Sequence, residues 1–426
     1  MKKTILLLIV VITTASLHAQ TVLTSYVAAN THPLTRIDSI SSFDEFSPIG
    51  KAIGDARIVF LGEQDHGDAA AFIAKTQLIN YLHREKGFDV IAFESDFFAG
   101  TNGYETVAAN APAFAKYYRA NIFQYWTLCD ACTGLFTQLI PGSFNSAHPF
   151  IIAGFDSQMY LRYSTQQLAK AIDSVCRANN FAITGQEAAY KELLNAISLL
   201  TNSLTTAAQK PDFYSNTAAA LTNLKTIFTE KLGNASQWPL LIENLISLCH
   251  QMRLVNKDFT ASCNYRDAQM ATNLKWLCKE KFAGKKIIVW AANYHVAKIE
   301  RGLLKKSNDG FSPMAASFIK DTALNKETYV IGFTSYDGVA GRIGTKSFNI
   351  DAPEKNGFEN WVNNTYDYAF TDFTAFNNQH PEFNTPFALK SSVKAAGVHQ
   401  SAEAQWNKIF DGLFFIRHMY NCKIKY

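Results

Sequence analysis

Five short apolar runs rich in β-branched residues limit the architecture of this chain more than any other feature. They are Ile58–Leu61 (IVFL), Val90–Phe93 (VIAF), Phe150–Ala153 (FIIA), Ile287–Trp290 (IIVW) and Tyr329–Phe333 (YVIGF). None alternates apolar with polar residues, as a half-exposed strand would. They suit strands buried on both faces, as in a parallel sheet covered by helices. Between the first two lies DAAAFIAKTQLINYLHREKGF, a helical pattern closed by Gly87, which completes a βαβ unit. The preceding FDEFSPIGKAIGDA reads as a short helix leading into the first strand.

From Tyr160 to about Lys281 the pattern changes to helical stretches separated by Gly, Pro and Asn signals. After Gly338 come strand-like pieces, RIGTKSFNI, YAFTDF and GLFFIRHMY. The expected fold is therefore α/β, with a mostly parallel central sheet flanked by helices and a large all-helical insertion, at about 160–281, between strands. The insertion is placed to cover the sheet edge as a lid. A single domain over residues 21–426 accommodates all of this.

The first twenty residues, MKKTILLLIVVITTASLHAQ, read as a signal peptide. Two lysines precede an apolar core from Ile5 to Ile12, well short of the ~20 residues a membrane span needs. The expectation is an exported chain, periplasmic or secreted, with no membrane attachment after cleavage. Loss of Lys2 and Lys3, and of no acid, lowers the formal charge from +4 to +2. No basic stripe exists, so nucleic acid is not an expected partner. Seven cysteines allow one or two disulfides. Cys129-x-x-Cys132 lies in YWTLCDACTGLFTQL, which reads as a helix, and a buried structural role suits it better than a redox or zinc one.

The chemistry gathers where the strands end. The first run is followed by Glu63, Asp65 and His66, the second by Glu94 and Asp96, the third by Asp156, and the fourth by Asn293 and His295. In an open parallel sheet the ligand crevice lies outside the carboxyl ends of the strands, so four strands deliver acids and histidines to one edge. There is no G-x-S-x-G elbow, no H-E-x-x-H zinc helix, no phosphate loop and no G-x-G-x-x-G. What remains is histidine with paired carboxylates. A histidine oriented by a carboxylate can take a proton from water and drive attack on an ester carbonyl. Alternatively, Glu63, His66, Glu94 and His295 could hold a divalent metal that activates the water. His83, near a helix C-terminus, reads as a surface group. His250, His380, His399 and His418 lack strand-edge context and receive no role, and His32 reaches the site only if the N-terminal segment folds back.

At these residues the sequence resembles the erythromycin esterase family, within a wider group that includes ChaN-like and TraB-like proteins. The resemblance runs from HPLTRIDSISSFDEF to YVIGFT. It rests on GEQDHGD, GFDVIAFESDF, GFDSQ, YRDAQMATNLKWL and KIIVWAANYHVAK, in that order. It implies an α/β hydrolase domain that opens a macrolide lactone by activated water, metal-independent or weakly metal-linked, with no cofactor. His66 matches the general base, and Glu63 and Glu94 match the carboxylates that orient it or the water. His295 matches a histidine that binds substrate or stabilises the oxyanion. Lys75 stands where the family has an arginine, keeping the charge but losing the planar fork. With Asp96, Asp156 and Asn293 it makes up the expected substrate-binding set.

Two departures stand out. Ala292 replaces the first histidine of the family's paired block. Asp65 stands where a small or hydroxyl residue is usual, and its charge favours protonated His66 unless it is offset. Arg266 and Asp267 either form a supporting ion pair or cap and pack. The expected partner is a small ester, a macrolide among the candidates. A ChaN-like binding protein for a small apolar ligand or metal complex, without turnover, is the alternative. The sequence does not set an oligomeric state.

Overall fold

The computed structural model describes residues 21–38, 42–181, 187–299, 303, 310–393 and 398–425. The expected signal peptide, 1–20, lies outside the described residues. The chain is mixed α/β, with a mostly parallel central sheet flanked by helices. It divides into two compact units. One comprises Met1–Lys86, Ala291–Asn308 and Glu327–Ile424; the other comprises Gly87–Trp290, Asp309–Lys326 and Lys425–Tyr426. No helix among the described residues is long and apolar enough to cross a membrane.

In the first unit the strands are β1 (Thr31–Leu34), β2 (Ile58–Leu61), β6 (Thr328–Ala340), β7 (Phe348–Ile350), β8 (Tyr368–Asp372) and β11 (Gly412–Met419). Their order is β1-β8-β11-β6-β2, with β7 paired to the far end of β6. β2 and β11 run parallel to β6, while β8 and β1 add an antiparallel edge. Every residue of β2 is fully buried, which is why the sequence there is continuously apolar. A short antiparallel pair, β9 (Phe387–Leu389) with β10 (Ala402–Ala404), lies in the C-terminal part. The helix Ala69–Lys86 follows β2 and packs on β11.

In the second unit β3 (Phe88–Asp96) lies between β5 (Lys286–Trp290) and β4 (Ile151–Asp156), all parallel. Between β4 and β5 the described chain is helical, with Arg162–Ala178, Glu187–Leu200, Pro211–Leu232, Gln237–Leu254 and Phe259–Trp276 as its long elements. Side-chain caps open two of them: Ser236 accepts from Trp238 N and Asp258 from Ala261 N. The stretch around the C-x-x-C pair is not the continuous helix expected. It breaks into Gln124–Thr127, a 3₁₀ turn at Asp130–Cys132 and a π turn at Leu135–Leu139. Cys129 and Cys132 are both buried, and Cys132 is a thiol.

Candidate active site

In the first unit, β2 delivers the loop Gly62–Asp68 into the start of the helix Ala69–Lys86. Gly62 is required by close approach: a Cβ there would lie 2.0 Å from Asn293 Oδ1. Glu63 is fully buried and its two oxygens have separate partners. Oε1 lies 2.8 Å from His66 Nδ1, and Oε2 accepts from Lys75 Nζ at 2.6 Å. Lys75 sits two turns into the following helix, completely buried, and also approaches the Ala291 carbonyl at 3.4 Å. It was expected to touch substrate; here its ammonium is the counter-charge of Glu63. The His66 side chain retains 13% exposure. That is enough to meet a small molecule while its Nδ1 edge faces buried carboxylate.

Asn293 and His295 begin a short helix, Asn293–Val296. The Asn293 amide donates to the Glu63 carbonyl at 2.7 Å, which ties this helix to the histidine loop. Its side chain donates to Phe333 O and Ser391 O and accepts from Phe333 N. Asn293, expected as a substrate contact, is thus fully buried and engaged by backbone. His295 is 5% exposed and packs edge-on against Tyr294.

The charge of Asp65 beside His66 is offset. Arg342 Nε donates to Asp65 Oδ1 at 2.5 Å. Arg342 was not foreseen, because nothing in its surroundings in sequence (GRIG) marks it. The loop is held at further points. Gln64 donates to the Lys390 carbonyl and accepts from Ser335, and Asp68 Oδ2 accepts from the Asp65 amide at 2.8 Å.

In the second unit Glu94 and Asp156 come together on one guanidinium. Arg266 donates through Nε and Nη2 to Asp156, at 3.1 and 2.6 Å to Oδ2, and through Nη2 to Glu94 Oε1 at 2.8 Å. Glu94 is 2% exposed and Asp156 fully buried, so both carboxylates depend on this shared cation. Asp267 takes the capping alternative: its Oδ1 accepts from Met314 N, at the start of the helix Met314–Phe318. Arg266 and Asn273 are seven residues apart on one helix, hence on one face. Asn273 accordingly donates to the Phe155 carbonyl at the end of β4. That spacing was the available signal.

Asp96 is fully buried and bonded to its own chain. It accepts from Ala99 N and Ser164 Oγ on Oδ1, and from Leu161 N on Oδ2. Burial pushes its carboxyl up to about 7, against the lowering effect of those three donors. Asp96 was expected to touch substrate; here both its oxygens are bonded to the chain itself. The β3–β4 register slips between Phe93 and Asp96, a bulge that falls at Glu94 and Ser95. Gly154 accommodates the crowding, since a Cβ there would lie 2.1 Å from the Asp96 carbonyl.

Among the described residues, no group of three or more His, Cys, Asp or Glu side chains is arranged to hold a metal ion. Chemically, the first unit presents a histidine whose Nδ1 is held by a buried, charge-balanced carboxylate. The second presents two carboxylates bridged by one arginine.

The family model of erythromycin esterase matches residues 83–419. That span includes Glu94, Asp96, Asp156, Arg266, Asn293 and His295; Glu63, His66 and Lys75 precede it. Bacillus subtilis (strain 168) YbfO, provisionally designated a hydrolase, is 25% identical over 311 residues, covering 68% of this chain and 67% of its own. Two solved structures share the fold. One is a Bacillus cereus protein, with a TM-score of 0.74 and 16% identity over 96% of this chain and 99% of its own. The other is a mutant of the erythromycin esterase EreC in its open conformation, with a TM-score of 0.66 and 18% identity over 92% and 98%. With the model matched over well over half its length, the chain belongs to the erythromycin esterase family and is a hydrolase of the esterase-like type.

Proposed function

We propose that the protein is an exported carboxylic-ester hydrolase in which His66 activates the attacking water, with a macrolide lactone as the first substrate class to test. The observation that carries this reading is the buried relay Lys75–Glu63–His66. Lys75 donates to Glu63 Oε2, and Glu63 Oε1 accepts a hydrogen bond from the Nδ1–H of His66. The lone pair of the ring then lies on Nε2, the atom that takes a proton from water as the water oxygen bonds to the ester carbonyl carbon. Glu63 also stabilises the imidazolium formed in that step. The imidazolium returns its proton to the leaving alkoxide as the tetrahedral intermediate collapses. His295, on the helix tied to Glu63 through Asn293, is proposed to stabilise the oxyanion. The proposed reaction uses no metal, the water being activated by His66. Export rests on the N-terminal twenty residues.

The test is mass spectrometry of erythromycin, other macrolides and a panel of simple esters after incubation with the protein beginning at residue 21. A gain of one water is expected. His66→Ala should slow it by about 10²–10⁴-fold, and chelator should leave it unchanged. Hydrolysis of no ester, or hydrolysis indifferent to His66, overturns the reading.

A further inference from the structure

His399, to which the sequence pattern assigned nothing, lies beneath the histidine loop, and its ring joins two of the loop's anchors. Nε2 is 3.0 Å from Asp68 Oδ1, while the other oxygen of Asp68 accepts from the Asp65 amide at 2.8 Å. Nδ1 is 3.4 Å from Ser335 Oγ, which donates to Gln64 Oε1 at 2.8 Å. Asp68 and Ser335 are fully buried, and His399 and Gln64 are 3% and 4% exposed. Through these two contacts one side chain reaches both residues that immediately precede His66.

The order Asp68–His399–Ser335 is that of a nucleophile triad, but the geometry speaks against that use. The Ser335 hydroxyl proton is committed to Gln64, and no member of the trio is more than 3% exposed. The backbone adds a second, independent observation. His399 (φ 56°) and Ser392 (φ 57°) both adopt the left-handed conformation that non-glycine residues avoid. They are joined by a 2.8 Å bond from the His399 amide to Ser392 Oγ. Two non-glycine residues in this sparsely populated conformation thus deliver one buried imidazole.

We infer that His399 is a positioning residue for the base: through Asp68 and Ser335 it fixes the loop so that His66 Nδ1 stays on Glu63. This rests on the assignment of His66 proposed above. Because His399 is buried and bonded to Asp68 and Ser335, its loss should impair the chemical step more than substrate binding.

The experiment uses the full chain labelled with ¹⁵N-histidine. The hydrogen-bonded Nδ1 proton of His66 is read by NMR and assigned by its absence in His66→Ala. His399→Leu removes the donor. His399→Gln restores it, since a glutamine amide nitrogen reaches the position of Nε2. In His399→Leu the His66 signal should move or broaden, and kcat on whichever panel ester is turned over should fall roughly ten- to a hundred-fold, with KM changing less than about threefold. His399→Gln should recover most of both. A folded His399→Leu with unchanged signal and kcat overturns the inference, as does a His399→Gln equally impaired. If circular dichroism shows that the leucine variant does not fold, Asp68→Asn is read in the same way. The NMR arm needs no substrate. A protein that hydrolyses no ester would therefore remove the proposed activity while this arm still decides whether His399 positions His66.

Discussion

Lys75 Nζ donates to Glu63 Oε2 at 2.6 Å, and neither side chain has any exposed surface. Each of these charges has been taken out of water, so each depends on the other far more than a surface pair would. Lys75 is therefore the buried counter-charge of Glu63. Its distance from solvent makes that role testable by stability as well as by rate.

Lys75→Met and Glu63→Gln should each destabilise the protein by about 3–5 kcal/mol, because each leaves one buried charge without its counter-charge. The double substitution should cost clearly less than the sum of the two. Urea denaturation of the four proteins at neutral pH checks this. Additive losses would show that the two charges are not coupled.

The second cluster makes a different prediction. Arg266 serves Asp156 and Glu94 at once, so Arg266→Met leaves two buried carboxylates repelling each other and should cost about 3–5 kcal/mol. Arg266→Lys keeps the charge but not the fork, and should fall between the wild type and the methionine variant. Thermal melts of the three proteins give the ranking. Equal stability of lysine variant and wild type would mean that charge alone suffices there.

Asp96 should leave a signature in the pH dependence of stability. Its carboxyl is raised from the ordinary 3.8 to about 7, chiefly by burial, so between these values the folded protein binds more protons than the unfolded chain. The resulting stabilisation is fully present below pH 3.8 and is lost as pH rises through 7. Asp96→Asn cannot ionise and should remove this part of the decline. Urea midpoints at pH 5 and pH 8 should differ less for the variant than for the wild type. An unchanged difference would contradict the raised value.

Much of the fold was legible because its main strands are buried on both faces. Ile58–Leu61 and Ile287–Trp290 have no polar side and could hardly be anything but interior strands. The acids and histidines that follow them were legible for the same reason, since ionisable residues directly after a buried strand need a purpose. Glu63, His66 and Lys75 converge within one βα turn, so their proximity follows from local chain geometry. The stretch around Cys129 was misread because apolar spacing alone does not separate one helix from several short turns.

Partnerships between distant segments were not legible. Arg342 offsets Asp65 across 277 positions, and His399 reaches Asp68 across 331. Neither residue carries a local pattern, because charge pairing and hydrogen bonding depend on distance in space and leave no period in the chain. The same holds for Asp96 and Asn293. Their types suggested substrate contact, yet the tertiary structure surrounds both with amides and carbonyls of their own chain. The amino-acid sequence by itself determined which segments must be buried, where the polar residues emerge, and to which family the blocks are similar. Only the folded structure decided which of those polar groups are bonded to their own backbone and which pair with one another, since that choice depends on the partners that packing brings within hydrogen-bond reach.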